Sequence, residues 1–189
     1  MKMIALARRA SDAVDDFPVV SVIPDSAVTL PGKPLFVPDF ASEWEARFML
    51  GVRVSRLGKG VSARFAPRYY DAVTLLMRLS PLPAESWPGG LASAFDGCIQ
   101  LGEWSALPSD PAAPVTVCFA GLTVTLTPDE AAIDSAVAVV ARYLTIRNGD
   151  IIAPFTSVDA VAVKVGDIIE GSLAWGGSEP AGLLRARLK

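Results

Sequence analysis

The tetrapeptide Gly-Asp-Ile-Ile occurs twice in close succession, at Gly149–Ile152 and Gly166–Ile169. Each copy reads as a tight turn that feeds an apolar strand. Glycine accepts backbone angles closed to other residues, and aspartate can hydrogen-bond the backbone just beyond it. Between the copies lies a loop with Pro154 and Thr156, then a Val/Ala run. A loop pinned between two strand-starting turns is a good place for a ligand site.

The other elements follow in order. Ser11 is expected to cap a short helical turn through Asp12–Asp16, with Asp15 completing a capping box and Pro18 ending it. Val19–Ile23 is a β-branched run typical of a strand. Residues 31–40 carry Pro31, Pro34 and Pro38 and read as extended surface chain. In Trp44–Val54 the residues Ala46, Phe48, Leu50 and Val52 alternate with Glu45, Arg47, Met49, Gly51 and Arg53, which predicts a strand. Gly58-Lys59-Gly60 is a turn, Ala63–Tyr70 a short helix, Ala72–Leu79 a strand and 81–90 an irregular loop. Val115–Leu126 reads as a hairpin turning at Ala120-Gly121. Thr127-Pro128-Asp129-Glu130 offers a helix start, and Ile133, Val137, Val140, Ala141 and Leu144 give that helix one apolar face ending near Tyr143.

A chain of 189 residues suits one domain, 1–189, with a sizeable core. Its mean hydropathy is +0.40, yet no apolar run approaches the ~20 residues that span a bilayer. The apolar part of Met1–Arg9 is too short for a signal peptide, so a cytoplasmic protein is expected. A net charge of −3 gives no reason to expect nucleic acid or anionic membranes as partners. Cys98 and Cys118 lack Cys-x-x-Cys spacing and read as small buried hydrophobes. Histidine is absent. That excludes Ser-His and Cys-His nucleophiles, histidine general bases and histidine metal ligands.

Several stretches, in order, resemble the fumarylacetoacetate hydrolase family over most of the chain. They are Pro31-Gly32-Lys33-Pro34-Leu35-Phe36 with Pro38-Asp39-Phe40, Tyr69-Tyr70-Asp71-Ala72-Val73-Thr74, Ala94-Phe95-Asp96-Gly97 with Gly102-Glu103-Trp104, and the 143–171 segment around the paired Gly-Asp turns. The resemblance implies a β-rich α+β domain of mixed, folded sheets with few helices, assembled as a homodimer. It also implies a Mg²⁺ or Mn²⁺ ion held by a Glu-x-Glu on one strand and an Asp on the next. Alternate residues of a strand share a face, so such a pair can converge on one hard cation.

The residues that should carry this chemistry are mostly replaced. Where the resemblance runs without a gap, Arg47 and Met49 fall at the two Glu positions and Arg78 at the Asp. A family lysine falls on Ser93, a Lys-Pro falls on Ile23-Pro24, and Thr156 alone survives of a Thr-Gly-Thr-Pro loop. The N-terminal histidine of many relatives is missing. A gapped register would instead make Glu43 and Glu45 the metal ligands. The expectation is a degenerate, non-catalytic member of this fold without a cofactor, with Arg47, Met49, Arg78, Ser93 and Thr156 lining a vestigial pocket. Two other readings stand beside it. One is an active metal-dependent hydrolase, isomerase or decarboxylase of 2-oxo or β-diketo acids. The other is a small-carboxylate binding protein that forks two guanidinium groups onto its ligand.

Overall fold

The computed structural model describes residues 1–7, 19–83, 90, 92, 94–110 and 112–189. The expected cap at Ser11 and the turn through Asp16 lie outside these residues.

Two sheets carry the fold. The larger runs β2 (Val19–Pro24), β1 (Lys2–Ala7), β10 (Ile151–Thr156), β4 (Glu43–Val54), β5 (Tyr70–Leu82), β6 (Ile99–Leu101), β3 (Val28–Thr29). Two short strands attach to it: β11 (Val161–Val163) pairs with β4, and β7 (Ser105–Ala106) pairs with β5. The smaller sheet has the order β13 (Ala181–Arg187), β12 (Ile168–Trp175), β8 (Val115–Phe119), β9 (Leu122–Leu126). The one α-helix among the described residues, α1 (Ile133–Tyr143), packs on the 3₁₀ segment Ala63–Arg68 and on β10. No helix among the described residues is long and apolar enough to cross a membrane.

The alternation of β4 explains how the larger sheet is covered. Trp44, Ala46, Phe48, Leu50 and Val52 face a core shared with Val117, Phe119 and Leu173 of the smaller sheet and with Val137 and Val140 of α1. The opposite face holds a second apolar cluster that includes Met3, Ala5, Met49, Leu76, Cys98, Ile99 and Ala153. Gly171 marks the close approach of the sheets: a Cβ there would stand 2.6 Å from Leu75 Cδ2 and 2.7 Å from the Cys118 carbonyl.

The two Gly-Asp turns are built alike. Gly149 has φ +84° and Gly166 φ +98°. Asp150 Oδ2 accepts the Arg147 N–H at 2.9 Å, and Asp167 Oδ2 accepts the Lys164 N–H at 2.9 Å. The carboxylates therefore reach back three residues, not forward as the sequence suggested. Each clamps the turn that precedes it and leaves the Ile-Ile free to pair as strand.

Three other expectations are corrected. Thr127 and Glu130 do close a reciprocal box, with Glu130 Oε2 accepting from Thr127 N and Oγ1, both at 2.8 Å. That turn is isolated, however, because Ala132 (φ −53°, ψ 76°) leaves helical geometry and α1 begins at Ile133. Ala131 and Ile133 are both buried, and residues two apart in a continuous helix cannot face the same side. Strand β5 runs on through Pro81 to Leu82. Its neighbour β6 ends opposite Arg78, so Pro81 lies where the missing N–H has no strand to serve on that side. Cys98 is buried, but Cys118 is exposed, since β8 turns Val115, Val117 and Phe119 inward and its other residues out.

Candidate functional site

In the antiparallel β4–β5 register Arg47 is the direct partner of Arg78, Met49 of Leu76, Glu45 of Ser80 and Glu43 of Leu82. Thr156 of β10 pairs with Met49 on the other side. Arg47, Met49, Arg78 and Thr156 thus meet on one face of three adjacent strands. A bulge brings Thr156 there: β10 pairs Ile152 with Val52, then Phe155 with Leu50, one residue more than the partner strand supplies. Pro154 sits in the bulge, where its missing N–H interrupts nothing. The extra residue sends Phe155 into the core, stacked on Phe48 at 5.8 Å between centroids, and turns Thr156 to the opposite face.

The four residues play different parts. Met49 is fully buried among the apolar residues of its face and forms the floor. Thr156 Oγ1 donates to the Leu6 carbonyl at 3.3 Å and ties β10 to β1. Arg47 is held by Glu45: its Nε and one terminal nitrogen lie 3.0 and 2.9 Å from Glu45 Oε1. Arg78 differs. Its Nε is buried and has no hydrogen-bond partner among the described residues. Burial first, and then the charge of Arg47, lowers its pKa, against smaller opposing effects of Cys98 and Glu45. The Cys98 thiol, which precedes Arg78's β6 partner Ile99, is pushed up from its ordinary 9.0 to about 12 by burial, with Arg78 opposing.

Like charges directly across a strand pair repel, and a buried donor without a partner costs about 1–3 kcal/mol. The Arg47–Arg78 face is therefore an electropositive spot with unsatisfied capacity for hydrogen bonds. It does not fit a divalent cation. Among the described residues the carboxylate beside the pair is that of Glu45, which already serves Arg47. Glu43 is exposed and faces Leu82, so the gapped register finds Ser80 and Leu82 on β5 where a third carboxylate would be needed. Among the described residues no three His, Cys, Asp or Glu side chains cluster as a metal site would require. Ser93 lies outside the described residues.

Sequence reasoning missed Ser157 and the part played by Cys98. Ser157 Oγ accepts the Phe48 N–H at 3.2 Å and donates to the Asp159 carbonyl at 2.8 Å, which fixes the loop after β10. Its place in the loop after Thr156 gave no separate signal. A separate open pocket of about 980 Å³ lies between Pro31–Pro34 and the outer face of the smaller sheet, with Lys33, Arg187 and Lys189 at its wall. It contains none of the residues above.

No protein-family model and no curated sequence matches the chain. Solved structures do. A 5-carboxymethyl-2-hydroxymuconate delta-isomerase from Mycobacterium smegmatis superposes with TM-score 0.82 at 20% identity, over 99% of this chain and 78% of that one. A fumarylacetoacetate hydrolase family protein from Yersinia pestis gives TM-score 0.79 at 18% identity, over 100% and 93%. The fold is that of the fumarylacetoacetate hydrolase family. A fumarylpyruvate hydrolase of the same fold from Pseudomonas aeruginosa, solved with Mn²⁺ and pyruvate, gives TM-score 0.80 at 15% identity, over 100% and 89%. At these identities the likeness establishes architecture; chemistry has to be argued from this chain's own residues.

Proposed function

We propose that this chain is a non-catalytic protein on the fumarylacetoacetate hydrolase fold, which binds a small carboxylate where active members of that fold hold a metal ion. The observation that carries the reading is the buried Nε of Arg78, without a partner among the described residues and directly across from Arg47. Two guanidinium groups on adjacent strands can fork onto one carboxylate, which supplies the acceptors that Arg78 lacks and offsets the repulsion between them. Met49 and Leu76 beneath them give the ligand an apolar floor. Among the described residues of this face none is arranged as a nucleophile with its base: the buried thiol of Cys98 is held protonated at neutral pH, and the hydroxyl of Thr156 is engaged by the Leu6 carbonyl.

Thermal denaturation with succinate tests the reading. A ligand that binds only the folded state raises the melting temperature by mass action. Succinate at millimolar concentration should raise it above a sodium chloride control of equal ionic strength. Arg47→Gln and Arg78→Gln should each remove that rise. Equal melting temperatures in succinate and chloride for the unaltered protein would refute it. The resemblance also leads us to propose a homodimer, and light scattering that reports a monomer at high micromolar concentration would contradict that.

A further inference from the structure

Two stretches of this acidic chain contain no acid at all. Residues 55–70 carry Arg56, Lys59, Arg64 and Arg68, and residues 135–149 carry Arg142 and Arg147. The fold lays the two stretches side by side. Gly58 and Ile146 exchange backbone hydrogen bonds at 3.0 and 2.9 Å, Gly60 N donates to the Ala141 carbonyl at 2.7 Å, and Lys59 Nζ donates to the Tyr143 carbonyl at 2.6 Å. All six cations are exposed, and none makes a salt bridge among the described residues. The same stretches carry three exposed apolar side chains, Leu57, Phe65 and Tyr143, at 70%, 45% and 56% exposure. The guanidinium carbons of Arg64 and Arg68 lie 5.7 and 5.2 Å from the Phe65 ring centroid, and that of Arg142 lies 5.6 Å from Tyr143's.

We infer that this surface docks an acidic segment of a partner protein that also presents apolar side chains. Six of the chain's 17 cations sit on these two adjoining stretches of a molecule whose net charge is −3, so the field there is opposite to that of the whole and steers an acidic partner toward it. Composition selects the kind of partner. Five of the six cations are arginine, and aromatic rings lie among them. Arginine and aromatic residues are enriched at protein–protein interfaces, whereas lysine is depleted there. The guanidinium fork suits carboxylates in two-point contacts, and a ring already covered by guanidinium groups forms a ready-made anchor. The surface shares no residue with the molecule's other cationic feature, the Lys33 pocket.

The test is anisotropy of a short labelled peptide of glutamates interspersed with leucine and phenylalanine, titrated with the full chain at physiological salt. Saturable binding is expected. Arg64→Glu with Arg68→Glu should weaken it by about tenfold or more, since reversed charges repel where the originals attracted. Arg142→Glu, on the other stretch, should weaken it in the same direction, and Phe65→Ser should weaken it without changing its salt dependence. Lys33→Glu, in the separate pocket, should leave it unchanged. Circular dichroism checks that each variant is folded. No saturable binding, or equal loss from Lys33→Glu, overturns the inference. So does tighter binding by a single-stranded oligonucleotide or by phosphatidylserine vesicles than by the peptide, because either places a different macromolecule on this surface.

Discussion

Arg47 and Arg78 are direct cross-strand partners, and of the two only Arg47 forms an ion pair among the described residues, with Glu45. Arg78 is thus held in the fold at a cost, and its replacement separates stability from binding. Arg78→Met removes a buried donor without a partner and fills the space with apolar atoms. The ligand-free protein should gain on the order of 1 kcal/mol. The same substitution should abolish stabilisation by succinate. Denaturant unfolding with and without succinate reads both effects. A variant that loses stability in the absence of ligand would show that Arg78 is satisfied without one.

Glu45 competes with any incoming carboxylate for Arg47. Glu45→Gln keeps the shape and removes the charge, so Arg47 is released and the local field becomes more positive. Succinate should bind more tightly, by about tenfold at most for one exposed or half-buried charge. Titration of the variant checks the direction. Weaker binding would make Glu45 a positioning residue for Arg47 instead of its competitor.

The twin turns should differ in what they contribute. Asp150 is 2% exposed and accepts from the backbone of Lys2 and Arg147 and from the Lys2 ammonium. Asp150→Ala strands these donors and should cost about 2–4 kcal/mol. Asp167 is half-buried and accepts from Lys164 N. Asp167→Ala should cost about 1 kcal/mol. Equilibrium unfolding in urea compares the two, and equal losses would contradict the account of the first turn.

Alkaline pH should loosen the fold through two groups. Burial, then the hydrogen bond to Asp134 and its charge, raises the Tyr70 phenol well above its ordinary 10.0, and burial raises Cys98 to about 12. Both groups are neutral when protonated, and the folded state holds those protons more tightly than the unfolded state. Their contribution is full below pH 9 and is lost as pH rises above 9 for Cys98 and above 10 for Tyr70. Tyr70→Phe and Cys98→Ala should each flatten the fall in stability above those values. The same burial predicts that one thiol, Cys118, reacts with a thiol reagent in the native protein and that both react in denaturant.

Alternation made β4 legible, because Ala46, Phe48, Leu50 and Val52 separate cleanly from the residues between them. The Ala120-Gly121 hairpin was legible for a local reason too: both residues adopt positive φ, 49° and 83°, as such a turn requires. The start of α1 was not legible. The box at Thr127 satisfies every local rule for a helix start, and the break at Ala132 answers to the burial of Ala131 and Ile133 against distant residues. The candidate positions Arg47, Met49, Arg78 and Thr156 could be named from the sequence, but not the geometry that sets them on one face. The bulge at Pro154 that turns Thr156 to the face of Met49, and the register that sets Arg78 against Arg47, both depend on how separate strands pair. Glu45 stood in the sequence as one half of a Glu-x-Glu; its bond to Arg47 exists only because the two share a strand face two residues apart.

The central claim is that an anion now binds where a metal would be held on this fold. Its most direct test is a calorimetric titration of the metal-stripped protein with succinate and, in a second run, with Mn²⁺. The account predicts a saturable one-site isotherm for succinate, lost in Arg47→Gln and in Arg78→Gln, and no saturable heat for Mn²⁺ up to low millimolar concentration. A stoichiometric Mn²⁺ isotherm of submillimolar affinity, abolished by Glu43→Gln or Glu45→Gln, with no heat from succinate, would contradict it.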